Sequence, residues 1–288
     1  MSRNSKKLQI EENTEEKINK PKPTPPSDDM SKLFGLSFSV PTETVSLPSQ
    51  GKYYPSSSPF YGVEQVEIKH MTAKEEDILA QPVGTAEEFS MFDKLINSLL
   101  VDKTLDASQL LEEDKTAVLL SARRTGYGLH YPSNSVCDLC KQVGTFQFDL
   151  SKVSITEPEN TLEYDPESNT FMVELPVSKI KVRARVPNKE DTKALELEEK
   201  QKAKINLKFN KTLATVNRII YSANDIFDPQ TISKLVEVLP AADAKYLLGF
   251  DKTCYPRVNT MQEVVCSNCK GVSEKEVPLS WAFFRVEF

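Results

Sequence analysis

Two Cys-x-x-Cys pairs constrain this chain more than any other feature. They are Cys137-Asp138-Leu139-Cys140 and Cys266-Ser267-Asn268-Cys269, and they use four of the five cysteines. Each pair runs into a turn and then strand-like residues, to Phe146 and Phe148 after the first and to Val277 after the second. Two such knuckles supply the four thiolates of a closed tetrahedral zinc site. Between Cys140 and Cys266 lie 125 residues. One metal held by both pairs therefore closes a loop almost half the chain long. Structural Zn2+, one per chain, bound by Cys137, Cys140, Cys266 and Cys269, is the expectation.

Other uses of these thiols fit less well. A thioredoxin-like redox site needs a single Cys-x-x-Cys, usually opening a helix, whereas both pairs here precede strand-like residues. Disulfides need an oxidising compartment, and the polar N-terminus lacks the apolar core of a secretory signal. A four-thiolate site leaves no open position for water, which argues against catalytic zinc. Lys141 and Lys270 follow the second cysteine of each pair and can soften the site's negative charge. Gly144 and Gly271 relax the backbone beyond the turn. Cys254 reads as a small buried hydrophobe. His130 is near enough in sequence to be an alternative ligand or a donor to one, although a hydrogen-bonded structural role is the simpler reading for it and for His70. No Ser/His/Asp grouping, phosphate-binding glycine loop or metal-carboxylate cluster is visible, so no catalytic residues are assigned.

The pattern along the chain predicts an α+β fold: a mostly helical body, a small antiparallel β section and a zinc-ribbon-like site made from the two knuckles. Residues 1–30 balance six basic against six acidic residues and carry four prolines before position 27. With so little apolar surface they read as a disordered tail. Residues 31–60 read as an extended Pro/Ser-rich arm with an ordered surface loop over 47–55, and the apolar 33–38 stretch as a strand, a loop anchor or a docking peptide. Residues 61–135 form an N-terminal helical part. In it Thr72 and Glu75 make a capping box, Phe89, Phe92, Leu95, Ile96 and Leu99 form one helical stripe, and Asp114 caps a helix that ends at Gly126–Gly128. Residues 136–187 hold the first knuckle and a β section. Residues 188–255 form a second helical part, including a helix over 241–248. Residues 256–288 hold the second knuckle and a packed aromatic segment.

Net charge is −6, which argues against a surface built throughout for nucleic acid. Residues 179–211 nevertheless carry eleven basic and five acidic residues. A nucleic-acid patch needs interleaved aromatics for base stacking, and Phe209 is the only one there. A solvated helix beside one cationic strand face is the plainer reading. A zinc-ribbon nucleic-acid binder using 179–211 stays open as the alternative function. No stretch approaches the roughly 18 apolar residues of a membrane span.

Several segments form an ordered series: Leu47-Pro48-Ser49-Gln50-Gly51-Lys52-Tyr53-Tyr54, Ile68-Lys69-His70-Met71-Thr72-Ala73-Lys74-Glu75-Glu76-Asp77, Asp93-Lys94-Leu95-Ile96-Asn97 and Leu120-Ser121-Ala122-Arg123-Arg124-Thr125-Gly126-Tyr127-Gly128, then the first knuckle. The series resembles the baseplate hub assembly family of T-even-type contractile-tailed phages over residues 45–288, most specifically over 47–150. The resemblance implies a non-enzymatic hub component or assembly factor made late in infection. It would act in the host bacterial cytoplasm or in the virion tail. Its partners would be baseplate hub and tape-measure proteins, with no membrane or small-molecule substrate. Aromatics near Tyr53–Tyr61 and the N-terminal tail are the expected contact surfaces.

Overall fold

The computed structural model describes residues 40–81, 88–158, 162–187 and 189–284. The tail over 1–30, the 33–38 stretch and the last four residues lie outside them. Two hydrophobic cores organise the rest.

The first core opens with β1 (Thr42–Ser46), antiparallel to β2 (Gln65–Lys69) with Val45 opposite Val66. The Thr72–Glu75 capping box starts α1 (Ala73–Ala80). The next helix, α2 (Glu88–Leu99), turns Phe92, Leu95, Ile96 and Leu99 into the core; the side chain of Phe89 lies outside the described ones. A 3-10 turn over Ala107–Gln109 precedes α3 (Glu112–Tyr127). Leu111, not Asp114, occupies the N-cap of α3. Gly128 ends α3 at φ 85, a left-handed position that favours glycine. A long hairpin of β3 (His130–Val136) and β4 (Val143–Asp149) follows, then the short β5 (Ser154–Thr156).

The second core is a four-stranded antiparallel sheet covered by helices. β6 (Glu163–Asp165), β7 (Thr170–Glu174) and β8 (Lys181–Ala184) precede α4 (Lys189–Lys204) and α5 (Lys211–Ile219). Then come β9 (Ile220–Ala223), α6 (Pro229–Val238) and α7 (Ala241–Leu248), and the sheet order is β6-β7-β8-β9. Alternation along β7 and β8 buries Phe171, Val173, Val182 and Ala184 against Val216, Ile219, Ile232, Val236 and Leu247 of the helices. Asp243, buried in the first turn of α7, accepts the N–H groups of Val177 (2.8 Å) and Ser178 (2.9 Å). Burial pushes its carboxyl up, but those N–H groups win and hold it below the usual carboxylate range.

The chain then returns to the first core. β10 (Arg257–Asn259) pairs antiparallel with β5, so the second core leaves the first and rejoins it through adjacent strands. A second hairpin, β11 (Met261–Val265) and β12 (Val272–Glu276), completes the first core, together with buried Phe283 and Phe284.

The expected mostly helical body is not what forms. Among the described residues, seven α-helices stand beside twelve short strands in five antiparallel sheets, a mixed α+β fold. Long helices announce themselves by period, whereas ten of these strands are only three to five residues long, too short to show one. The loop over 47–55 also differs from expectation. Leu47, Ser49 and Tyr54 are buried, because a carboxylate inside the core receives the loop's polar groups.

Candidate metal centre

The two knuckles are built alike. In the first hairpin Val136 pairs with Val143 across a six-residue connection; in the second Val265 pairs with Val272 across another. Cys137 N donates to Gln142 O at 2.9 Å and Lys141 N to Cys137 O at 2.9 Å. Cys266 N to Gly271 O (3.0 Å) and Lys270 N to Cys266 O (3.1 Å) repeat the pattern. Lys141 and Lys270 take left-handed backbone at φ 60 and φ 59, which costs a non-glycine residue about 1–2 kcal/mol. Each folds the chain back so that both sulfurs of its pair face one point.

All four sulfurs lie within 4.8 Å of one another, and Cys137 Sγ is 3.8 Å from Cys269 Sγ. A tetrahedron with zinc–sulfur bonds of about 2.3 Å has edges of roughly 3.8 Å. The donor set therefore fits a thiophilic tetrahedral cation. Cys137 and Cys266 are buried, Cys140 is half-buried and Cys269 is exposed. The N–H groups of Cys140 and Leu139, with a contribution from the Cys266 sulfur, bring the Cys137 thiol down to about 6. Cys140 receives the Gln142 N–H, yet burial and the sulfurs of Cys137, Cys269 and Cys266 push it up to about 11. Four thiolates this close repel one another, and a cation relieves that repulsion.

The second hairpin also stitches itself to the free edge of β4. Thr145 N donates to Ser267 Oγ (2.9 Å), and Asn268 Nδ2 donates to Val143 O (2.7 Å). Gln262 imitates a strand peptide, accepting from Asp149 N (3.0 Å) and donating to Asp149 O (2.9 Å). Lys275 donates to Val136 O (3.1 Å) and to Asp138 Oδ2 (2.7 Å), with its ammonium 5.0 Å from the Phe146 ring centre. Sequence reasoning missed these side chains, because nothing local marks a glutamine or lysine that serves a strand 113 or 139 positions away.

The roles expected for nearby residues change in detail. Lys141 and Lys270 are exposed, and Lys275 is the cation that reaches the knuckles. Neither Gly144 nor Gly271 has positive φ; what each provides is room. A Cβ on Gly144 would stand 2.9 Å from Cys266 Sγ, and one on Gly271 would stand 2.3 Å from Leu139 Cδ1. His130 opens β3 opposite Asp149. Seven residues of strand, roughly 20 Å, separate it from Cys137, so the structure does not bring it to the sulfurs. Cys254 is buried in the second core.

The ordered segments of the sequence turn into polar staples of the first core. Asp114, fully buried, accepts from Ser49 N (2.9 Å), Ser49 Oγ (2.5 Å) and Tyr54 OH (2.6 Å), while Tyr54 OH accepts from Leu111 N (2.9 Å). Burial raises the Asp114 carboxyl despite these donors. Glu75, also fully buried, takes Ser98 Oγ, Thr72 N and Lys69 Nζ; burial raises its carboxyl, but the donors outweigh that and bring it to about 2. Lys115 reaches Asp93 at 2.8 Å. Asn97 accepts from Ala107 N (2.7 Å) and donates to Asp106 (3.1 Å). Arg123 Nε donates to Phe283 O (2.9 Å), and its guanidinium lies 4.8 Å from the Tyr127 ring centre.

The adjacent tyrosines of the first segment divide between the cores. Tyr54 serves Asp114, while the ring of Tyr53 lies 5.8 Å from both Tyr164 and Phe171 and 6.2 Å from Tyr255. Of the aromatics expected as contact surface here, Tyr61 is exposed and Tyr53 half-buried, whereas Tyr54 and Phe60 are buried.

No helix among the described residues is long and apolar enough to cross a membrane. Neither a curated protein nor a solved structure matches the chain significantly. A family profile, that of the T4 bacteriophage base plate protein, matches residues 40–284. That span takes in both cores and both knuckles, and the chain belongs to this family of phage baseplate proteins.

Proposed function

We propose that the chain is a non-enzymatic component or assembly factor of the phage baseplate central hub. It acts by protein–protein binding, with a structural Zn2+ on Cys137, Cys140, Cys266 and Cys269. The observation that carries the reading is membership of the baseplate family over nearly the whole described chain. The metal part rests on four sulfurs at tetrahedral spacing with all four positions taken by protein. In this role zinc would tie the two hairpins that flank the second core. Hub and tape-measure proteins are the proposed partners, met in the host cytoplasm during assembly or in the finished tail.

The nucleic-acid reading of 179–211 has weaker support. Arg183 pairs with Asp165 (3.2 Å), Arg185 with Asp191 (2.7 Å) and Lys202 with Glu198 (3.2 Å), so part of its charge is already used.

Affinity purification of the tagged full chain from infected cells tests the role. Hub or tape-measure proteins should co-purify, and infection without the chain should yield tails arrested before hub completion. Normal tails in its absence, with no tail protein captured, would refute the proposal. Elemental analysis should find about one zinc per chain.

A further inference from the structure

Two faces opposite in charge are exposed and meet no partner among the described residues. The first is the outer face of the second hairpin. Its cross-strand pairs are Met261 with Glu276, Glu263 with Glu274 and Val265 with Val272, and all six residues are exposed. Like charges directly opposite on a strand pair destabilise it. No cation among the described residues pairs with these glutamates.

The second is the outer face of α4. This helix packs against α5, and of its described residues only Leu195 is buried. At 100° per residue, Lys193, Leu197, Lys200 and Lys204 share the face turned away from Leu195. All four are exposed, and Leu197 is 59% exposed. The ion pairs of α4, Asp191 with Arg185 and Glu198 with Lys202 and Arg218, belong to the opposite side.

We infer that the α4 face of one copy docks on the hairpin face of a second copy. Three lysines around a leucine meet three glutamates around two valines and a methionine. The dimensions agree: Lys193 to Lys204 spans roughly 16 Å of helix, and Met261 to Val265 roughly 14 Å of strand. The two faces belong to different cores, so the contact is head-to-tail. Each added copy leaves one face of each kind free, which gives a ring or an open chain. Contact through two elements falls short of the roughly 800 Å² per partner of a stable interface. The association is therefore weak, salt-sensitive and dependent on high local concentration.

Sedimentation velocity on the full chain tests this at low and at about 0.5 M salt. Concentration-dependent association is expected at low salt and should disappear at high salt. The variants Lys193→Glu/Lys200→Glu/Lys204→Glu and Glu263→Lys/Glu274→Lys/Glu276→Lys should each sediment as monomers, with parental circular dichroism and metal content. An equimolar mixture of the two should associate again, because each reversed face meets a complementary one. A parent that stays monomeric at all concentrations overturns the inference. So do single-face variants that associate like the parent, or a mixture that fails to recover although both variants are folded. Metal content is read separately, so a zinc-free but associating protein would count against the metal proposal alone.

Discussion

Gly144→Ala is the sharpest test of the proposed metal centre, because the added methyl points at one of the four clustered sulfurs. Its Cβ would stand 2.9 Å from Cys266 Sγ, 3.4 Å from Ser267 Oγ and 3.6 Å from Asn268 Nδ2. Comfortable non-bonded contacts lie at about 3.5–4.0 Å, so the sulfur would have to retreat by more than half an ångström. A metal–sulfur bond tolerates about 0.2 Å. The second hairpin must therefore shift as a unit and loosen the Ser267–Thr145 and Asn268–Val143 bonds. Overpacking of this kind costs about 1–3 kcal/mol, or roughly a 5- to 150-fold loss of zinc affinity. Gly144 has no positive φ, so backbone strain contributes nothing. Gly271→Ala is the control. Its Cβ would meet the far end of Leu139, a side chain 60% exposed and able to swing away, and would stand 3.3 Å from Cys269 Sγ. Gly271→Ala/Leu139→Ala should thus lose clearly less affinity than Gly144→Ala. Competition with a chromogenic chelator measures both, and thermal unfolding with and without chelator shows whether the stability loss needs metal. Parental zinc affinity in Gly144→Ala, or an equal loss in the control, would refute the geometric reasoning.

Other consequences follow from the polar staples. Gly51→Ala should destabilise by about 3 kcal/mol in urea denaturation, because φ is +69 and the new Cβ would lie 2.3 Å from Val63 N, which is backbone and cannot move aside. Tyr54→Phe removes the acceptor of Leu111 N and a donor to buried Asp114, with an expected cost of about 2 kcal/mol; a cost below about 0.5 kcal/mol would mean that water replaces the hydroxyl. Glu75 is held at about 2 in the folded chain, below its unfolded value near 4.3. Its contribution is present above the unfolded value and is lost as pH falls through about 2. Glu75→Gln should therefore cost about 2 kcal/mol at neutral pH, and its deficit against the parent should shrink between roughly pH 4 and 2; a deficit constant with pH would contradict this.

The start of α1, the buried stripe of α2 and the stop at Gly128 were legible because each rests on a local signal: a capping box, a 3.6-residue period, a glycine at positive φ. The cysteine quartet was legible because residue type and spacing suffice to suggest a thiophilic site. Asp114 was misread for a related reason. An acidic residue at the start of a helical pattern reads as a cap, and only the loop over 47–55, returning from more than fifty residues upstream, reveals it as a buried anchor. The strand before each knuckle was missed because β3 is polar apart from Tyr131, Pro132 and Val136, and β11 buries Gln262 while exposing Met261 and Val265, so neither shows apolar alternation.

Sequence alone determined the donor chemistry: four thiols in two tight turns, in a chain whose ordered motifs resemble one family. Tertiary structure decided what they join. The segment between the knuckles folds as its own core and returns through β5 and β10, bringing Cys266 beside Cys137. Convergence of that kind depends on long-range strand pairing and core burial, free-energy terms that no local window of the sequence contains.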